Sequence, residues 1–534
     1  MIIRKKPPRT LQLNEPIRHE QSHKRPVTRR DFIAQSFMTG AATVMVPAGL
    51  AMLLNPRTAQ ATLDSDILAQ KIACGITTGA GKIPFICFDL SGGGNIAGSN
   101  VLVGGAGGQR DFLSAAGYAK LGLPGTMTPN LAGQIESRLG LLYHADSAHA
   151  RGIIARTAAA TQAFTNGAVI PALSNNDTNT NPHNPMYGIA QIGARGDLLT
   201  LIGTDATQSG GNSMAPLSLV NPALTPTVIK QGSDCAGLVN TGALGTMFAN
   251  PASAVAVLES MSRISGQKIA NVNTQLATDA SLKSATGCNY VKTAYLADTY
   301  SSSAALNSDL DPVIVDQTAT RGSGIFSQAE YQSSRDFQAT AAVMKMVISG
   351  YAGAGTIQLG GFDYHGQGRS TGELRDLNAG QCIGACLEYA ARSHKPLMVY
   401  VFSDGGISAN GMIDTSVDGR NKFMWNSDNE SAAATYFLVY NPTGQPQLLS
   451  SAGQSAMQHQ QIGNYTPDGS VNISGAPAAN NVLLLVQTVL LNYMGLHGQS
   501  AQFQSVFPTQ GLGSSSMLDQ LTAFQPIVQG KIGG

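Results

Sequence analysis

Asp363 and His365 stand two residues apart in the stretch GGFDYHGQGRSTG (Gly360 to Gly372), directly after the apolar run TIQL. A carboxylate and an imidazole at that spacing are the donor types of a transition-metal site, and the surrounding glycines let backbone and ligand approach closely. Two further acids occupy the same kind of position. Asp89 ends FICFD and Asp404 ends VYVFSD, and each runs into glycines (Gly92 to Gly94, and Gly405 with Gly406). His183 follows the apolar run AVIPAL, in NTNPHNP. Carboxylates crowded together repel one another unless some are protonated or a cation neutralises them. Mixed Asp and His donors suit zinc, manganese or iron better than calcium. The expectation is a divalent transition-metal site drawing on Asp89, Asp363, His365 and Asp404, with His183 a transition-state or substrate contact. A lone acid after a strand is more often a helix cap or turn former, so the inference rests on their coincidence. The glycines at 92–94 lack the Lys and Ser/Thr of a phosphate-binding P-loop. His144, His149 and His394 read as surface or capping residues, and His497 as a residue without chemical company.

For these groups to meet, the elements carrying them must share an edge. Short apolar runs at Ile83–Phe88, in AVIPAL, in TIQL, in PLMVYVFS and in ATYFLVYN read as strands. Helical spacing is expected over about 130–166, 329–353, 370–395 and 478–494, with a capping box of Ser370 or Thr371 and Glu373 opening the third. Strands that are continuous apolar runs, alternating with helices, predict an α/β fold: a doubly wound, mainly parallel sheet with helices on both faces. Ligands of such sheets bind beyond the carboxyl ends of the strands, where Asp89, Asp363 and Asp404 fall. Residues 62–197 and 325–500 form the two parts of this core. Residues 198–324, of lower contrast, read as an insertion or cap, and 501–534 as a Ser/Gln/Gly-rich tail.

The chain is 43% hydrophobic and 12% charged, which excludes a disordered protein. Residues 1–61 differ in kind, with a basic, Pro-containing start, an apolar stretch from Phe32 to Leu54, and the small-x-small site Ala59-Gln60-Ala61. This is the layout of an export signal, and TRRDFI, with Arg29-Arg30, looks like a twin-arginine signal. A transmembrane anchor is the alternative, since the apolar stretch is about long enough to span. Of 33 basic and 32 acidic residues, ten and three lie up to Ala61, leaving a mildly acidic body of 23 and 29. That balance, with no basic stripe, argues against nucleic acid. No membrane span is expected after signal removal; NNVLLLVQTVLLNYMGL reads as a buried core helix. Six cysteines in an exported chain permit disulfides without proving any. Cys382 and Cys386, one helical turn apart, lack thioredoxin spacing.

From about Pro84 to His497 the chain resembles the family called domain of unknown function 1501, twin-arginine-exported members of the alkaline phosphatase/sulfatase superfamily. The points of likeness are TRRDFI, FDLSGGGN, GGFDYHGQ, VYVFSDGG and NNVLLLVQTVLLNYMGL. The resemblance implies two metal positions at the carboxyl edge of a doubly wound sheet. Asp363 and His365 match one metal pair, and Asp89 matches the acid after the first strand. The superfamily's Asp-His pair before a late strand aligns with Asp428-Asn429, which offers one ligand and an amide. The family's arginine-containing stretch after the penultimate strand reads FSDGGISANG, without arginine. For the hydroxyl nucleophile, Thr180 and Ser91 both stand open. The implied function is a periplasmic or cell-surface metal-dependent hydrolase of phosphate or sulfate esters. The rival expectation is a cell-envelope binding or assembly protein on the same fold, with a Ser/Thr/Asn/Gly-rich surface suited to a glycan or partner subunits.

Overall fold

The computed structural model describes residues 63–74, 81–174, 182–205, 215–238, 251–273, 279–299, 303–317, 323–366, 368–451 and 453–530. The chain is an α/β protein around one seven-stranded sheet. In chain order its strands are β1 (Phe85–Leu90), β2 (Thr165–Pro171), β3 (Leu199–Gly203), β4 (Thr227–Val228), β5 (Ala352–Leu359) and β6 (Leu397–Ser403). A hairpin outside the sheet, β7 (Ile407–Ile413) with β8 (Phe423–Asp428), precedes the last sheet strand, β9 (Ala434–Tyr440). The spatial order is β2-β9-β6-β1-β5-β3-β4. β1 runs parallel to both β5 and β6, and β3 is parallel to β5 and β4. β9 is antiparallel to β6 and β2, so six strands share one direction and β9 opposes them.

β1 shows why the centre is stable. All six residues are buried, with Ile86, Phe88 and Leu90 facing one apolar layer and Phe85 and Cys87 the other. This two-sided burial is what a continuous apolar strand requires. The first layer is covered by α-helices at Ala148–Arg156 and, further on, Arg335–Ile348 and Arg369–Arg392; the second by those at Met186–Gln191 and Val482–Leu496. In chain order, with Ser65–Ala73, Pro251–Ala270 and Asp279–Thr299, these eight helices are α1 (Ser65–Ala73), α2 (Ala148–Arg156), α3 (Met186–Gln191), α4 (Pro251–Ala270), α5 (Asp279–Thr299), α6 (Arg335–Ile348), α7 (Arg369–Arg392) and α8 (Val482–Leu496). Helices therefore lie on both faces. α1, α4 and α5 share a separate small apolar cluster, around Ile67, Leu258 and Val291, and a disulfide joins Cys74 to Cys288 of α5. No described helix is long and apolar enough to cross a membrane.

Several local expectations change. Residues 130–147 form turns and a two-residue strand pair, Ile135–Glu136 with Tyr143–His144, not helix. Gly133 and Gly140 there adopt φ of +79° and +75°, which a right-handed helix excludes. The capping box at α7 is absent: the helix begins after Gly368, the Ser370 N–H donates to Asp414 Oδ2, and Glu373 is buried among cations. The segment after residue 501 is part of the core. Phe503, Phe507, Leu512, Leu518, Leu521 and Phe524 pack in the layer that contains α8.

Candidate metal centre

At the carboxyl edge of the sheet, the loop following β1 is the hub. Gly92 has φ +117°, and a Cβ there would stand 2.7 Å from the Asp363 backbone nitrogen. Only glycine lets the two loops approach that closely. The Gly92 N–H donates to Asp404 Oδ1 at 2.8 Å, and the Phe362 N–H donates to the Ser91 carbonyl at 3.2 Å. Gly93 lies against Gly405, with Asp428 Oδ1 3.9 Å from where its Cβ would be. The loops after β1, β5 and β6 and the end of β8 thus meet around residues 91–93.

Three side chains converge there: Asp363, His365 and Asp428 each place a ligand atom within 4.8 Å of the others. Asp363 Oδ1 contacts His365 Nδ1, and Asp428 Oδ1 stands 3.3 Å from the same nitrogen. His365 Nδ1 is buried, yet it has no hydrogen-bond partner of acceptable geometry among the described residues. Two carboxylate oxygens crowding one ring nitrogen without a well-formed hydrogen bond is the arrangement expected of three ligands around a shared cation. The donor set, one imidazole and two carboxylates, fits zinc, manganese or iron. The side chains of Asp363 and Asp428 are 51% and 48% exposed, so the cluster opens to solvent and leaves room for an exogenous ligand.

The other predicted acids have different company. Asp89 is fully buried and lies within β1 rather than beyond it; its Oδ2 accepts from Ser91 Oγ at 2.8 Å, and Gln358 Nε2 donates to that Oγ at 2.9 Å. Asp404 is fully buried and holds the Gly92 N–H. Neither belongs to the three-residue cluster. His183 is buried at 1% exposure with its ring stacked on Phe402, centroids 5.5 Å apart, which places it in the wall of the core. Thr180 lies outside the described residues. Asn429, beside Asp428, spends its side-chain oxygen on the N–H and hydroxyl of Ser431, closing a turn.

What holds these three side chains in place is a set of buried groups that carry no mark in the sequence. Arg369, four residues after His365, lies with its guanidinium 4.3 Å from the ring centre of Trp425, three residues before Asp428. Arg369 also pairs with Glu373 at 2.9 Å, and Glu373 binds Lys422 at 2.7 Å, which joins α7 to β8 and its approach. Burial alone would raise the Glu373 carboxyl, but Lys422 and Arg369 outweigh it and hold it below its ordinary value. Burial draws the Lys422 ammonium below its ordinary value despite Glu373. Tyr364, between Asp363 and His365, points inward and is fully buried. Its hydroxyl accepts from the Asn95 N–H at 2.6 Å and donates to Asp376 Oδ1 at 3.0 Å. Asp376, fully enclosed, also accepts from Asn100 Nδ2 at 2.7 Å; burial, aided by nearby Glu373, pushes its carboxyl up to about 7.

Three other histidines are structural. His144 is buried, bonding the Met127 carbonyl and the Asp146 N–H, and burial pulls it down to about 4. His149 bonds Tyr436 and faces Asp376 at 3.8 Å. His497 accepts from the Ile83 N–H at 3.2 Å and contacts the Gly530 carbonyl at 3.1 Å, so it ties the end of α8 to the lead-in of β1. Cys382 and Cys386 are buried free thiols in α7. Comparison of the chain with family models, curated proteins and solved structures found no match.

Proposed function

We propose that the chain is an exported, divalent-metal-binding hydrolase of the alkaline phosphatase-like type, acting on a phosphate or sulfate ester. The observation that carries the metal reading is the convergence of Asp363 and Asp428 on His365 Nδ1, a buried nitrogen that makes no proper hydrogen bond among the described residues. Its place at the carboxyl edge of a mostly parallel sheet is where such folds bind ligands. A bound ion would supply Lewis-acid polarisation of an ester oxygen. Of the candidate nucleophiles, Ser91 lies among the described residues, and its neighbours hold it: its hydroxyl donates to Asp89 Oδ2 and Gln358 Nε2 donates to its oxygen. Export is supported by the Arg29-Arg30 leader and by the Cys74–Cys288 disulfide, a bond kept in oxidising compartments.

A second reading, a metal-binding envelope protein without turnover, is favoured by one observation: Ser91 is only 6% exposed. Elemental mass spectrometry on the exported chain, purified without chelator or affinity tag, tests both. One equivalent of zinc, manganese or iron in wild type, lost in Asp363→Ala/His365→Ala, supports the centre; equal metal in both sinks it. Turnover of p-nitrophenyl phosphate or sulfate that vanishes in Ser91→Ala then selects the hydrolase. Metal without turnover selects the binding protein.

A further inference from the structure

Away from the metal cluster, a hydroxyl and an imidazole are joined as a nucleophile and its base would be. Ser451 Oγ lies 3.0 Å from His459 Nε2, and His459 Nδ1 lies 2.7 Å from the Thr522 carbonyl oxygen. A carbonyl only accepts, so Nδ1 carries the proton, and the neutral ring turns its Nε2 lone pair to the Ser451 hydroxyl. His459 is fully buried, whereas Ser451 is half-buried. The backbone of the serine is pinned by a reciprocal pair of hydrogen bonds with Gln454, across a turn that holds exposed Gly453 at φ +93°. A hydroxyl, a base within hydrogen-bond reach and a group that fixes the tautomer of the base are the parts of an activated serine. Beside them opens a groove of about 510 Å³, a size suited to a small molecule. Its wall includes Gln454, Gln458, Gln520 and Leu521, close chain neighbours of Ser451, His459 and Thr522. None of its lining residues is ionisable, so a charged ligand would find no countercharge there.

We propose that Ser451 and His459 form a second hydrolytic site, for carboxylic esters with an uncharged acyl chain. Ser451 Oγ bonds to the acyl carbon while its proton passes to His459 Nε2. The same proton goes on to the alkoxide as the ester C–O bond breaks, and the alcohol leaves. Water, giving its proton to that nitrogen, then cleaves the acyl-serine and returns the acid and the free hydroxyl, so the sum is ester plus water to acid plus alcohol. The inference stands apart from the metal reading, since neither residue belongs to that cluster.

The test is treatment of the exported chain with a fluorophosphonate probe, mapping of the modified residue by peptide mass spectrometry, and hydrolysis of p-nitrophenyl butyrate in parallel. Expected are phosphonylation of Ser451 in the folded chain but not in urea, and a kcat/KM that rises with pH as one base ionises. Ser451→Ala should abolish the label at this position and the turnover, and His459→Gln should lower both about a hundredfold or more. Urea melts show whether the variants fold, and the mapping in wild type depends on neither. Both variants should keep the metal content of wild type, which separates a failure here from a failure of the metal centre. A folded wild-type chain that takes no label, a label confined to Ser91, or turnover unchanged in Ser451→Ala would each overturn the proposal.

Discussion

Replacing Tyr364 by Phe removes one oxygen and tests whether the metal loop is held from beneath. That hydroxyl is fully buried, accepts from Asn95 N–H and donates to Asp376. Its loss leaves the Asn95 N–H without this acceptor and Asp376 with Asn100 alone of these two donors. A buried polar group stripped of its partner costs about 1–3 kcal/mol, so the two together should lower fold stability by about 2–6 kcal/mol. Because Tyr364 lies between Asp363 and His365, their alignment should loosen as well. Groups that orient metal ligands are worth about 10–100-fold in affinity. The assay is zinc competition against a chromophoric chelator, with urea denaturation in parallel. Tyr493→Phe is the control: that hydroxyl is equally buried and bonds the Ile83 carbonyl on the other side of the sheet. It should lower stability while leaving zinc affinity intact. If Tyr364→Phe binds zinc within twofold of wild type, the loop is held by something other than this oxygen.

Gly92→Ala should weaken metal binding at least tenfold and lower Tm, because its Cβ would meet Asp363 at a φ that disfavours alanine; unchanged zinc affinity would refute the hub role. His497 is lowered to about 4 by burial and by nearby Lys82, against 6.5 when free. The stability it contributes is therefore complete above about pH 6.5 and is lost as pH falls toward 4, roughly 2 kcal/mol of it by pH 5. Urea melts at pH 7 and 5 should show His497→Gln losing less than wild type on acidification; equal losses would count against a buried neutral imidazole. Alkylation of denatured, unreduced protein should modify four thiols, Cys87, Cys235, Cys382 and Cys386, and six after reduction.

Asp363 and His365 were legible because a spacing of two within glycines after an apolar run is a local signal. Asp428 had no such signal. NSDNES looks like any polar turn, and Asp428 entered only through the family resemblance; it reaches the site because a hairpin outside the sheet folds back over the edge. The Arg369–Trp425 stacking and the Lys422–Glu373 pair that set this geometry join residues about fifty positions apart, beyond the reach of any periodicity. His144 and His149 read as surface residues because helical spacing says which residues share a face and nothing about what covers it. Five of the seven sheet strands were readable as continuous apolar runs; β3 and β4 were not, because they lie in the low-contrast stretch 198–324 that read as an insertion or cap, yet they complete one side of the sheet. Nor was the antiparallel entry of β9 readable, since strand direction depends on the connection rather than on composition. Asp89 fell inside a strand because hydrogen bonding from Ser91 makes a buried carboxylate tolerable there.

The pairing of β1 has a consequence for synthesis. Phe85 is paired on one side with Ala354 and on the other with Met398, so the central strand has no sheet neighbour until the ribosome has passed the first two thirds of the chain. At about 5–20 residues per second, the earliest strand waits roughly 15–60 s for its second partner. Throughout that time its apolar residues and open edges are exposed to other nascent chains. A holding chaperone that covers FICFDL during translation should therefore govern the yield of this protein more than any later step of its folding.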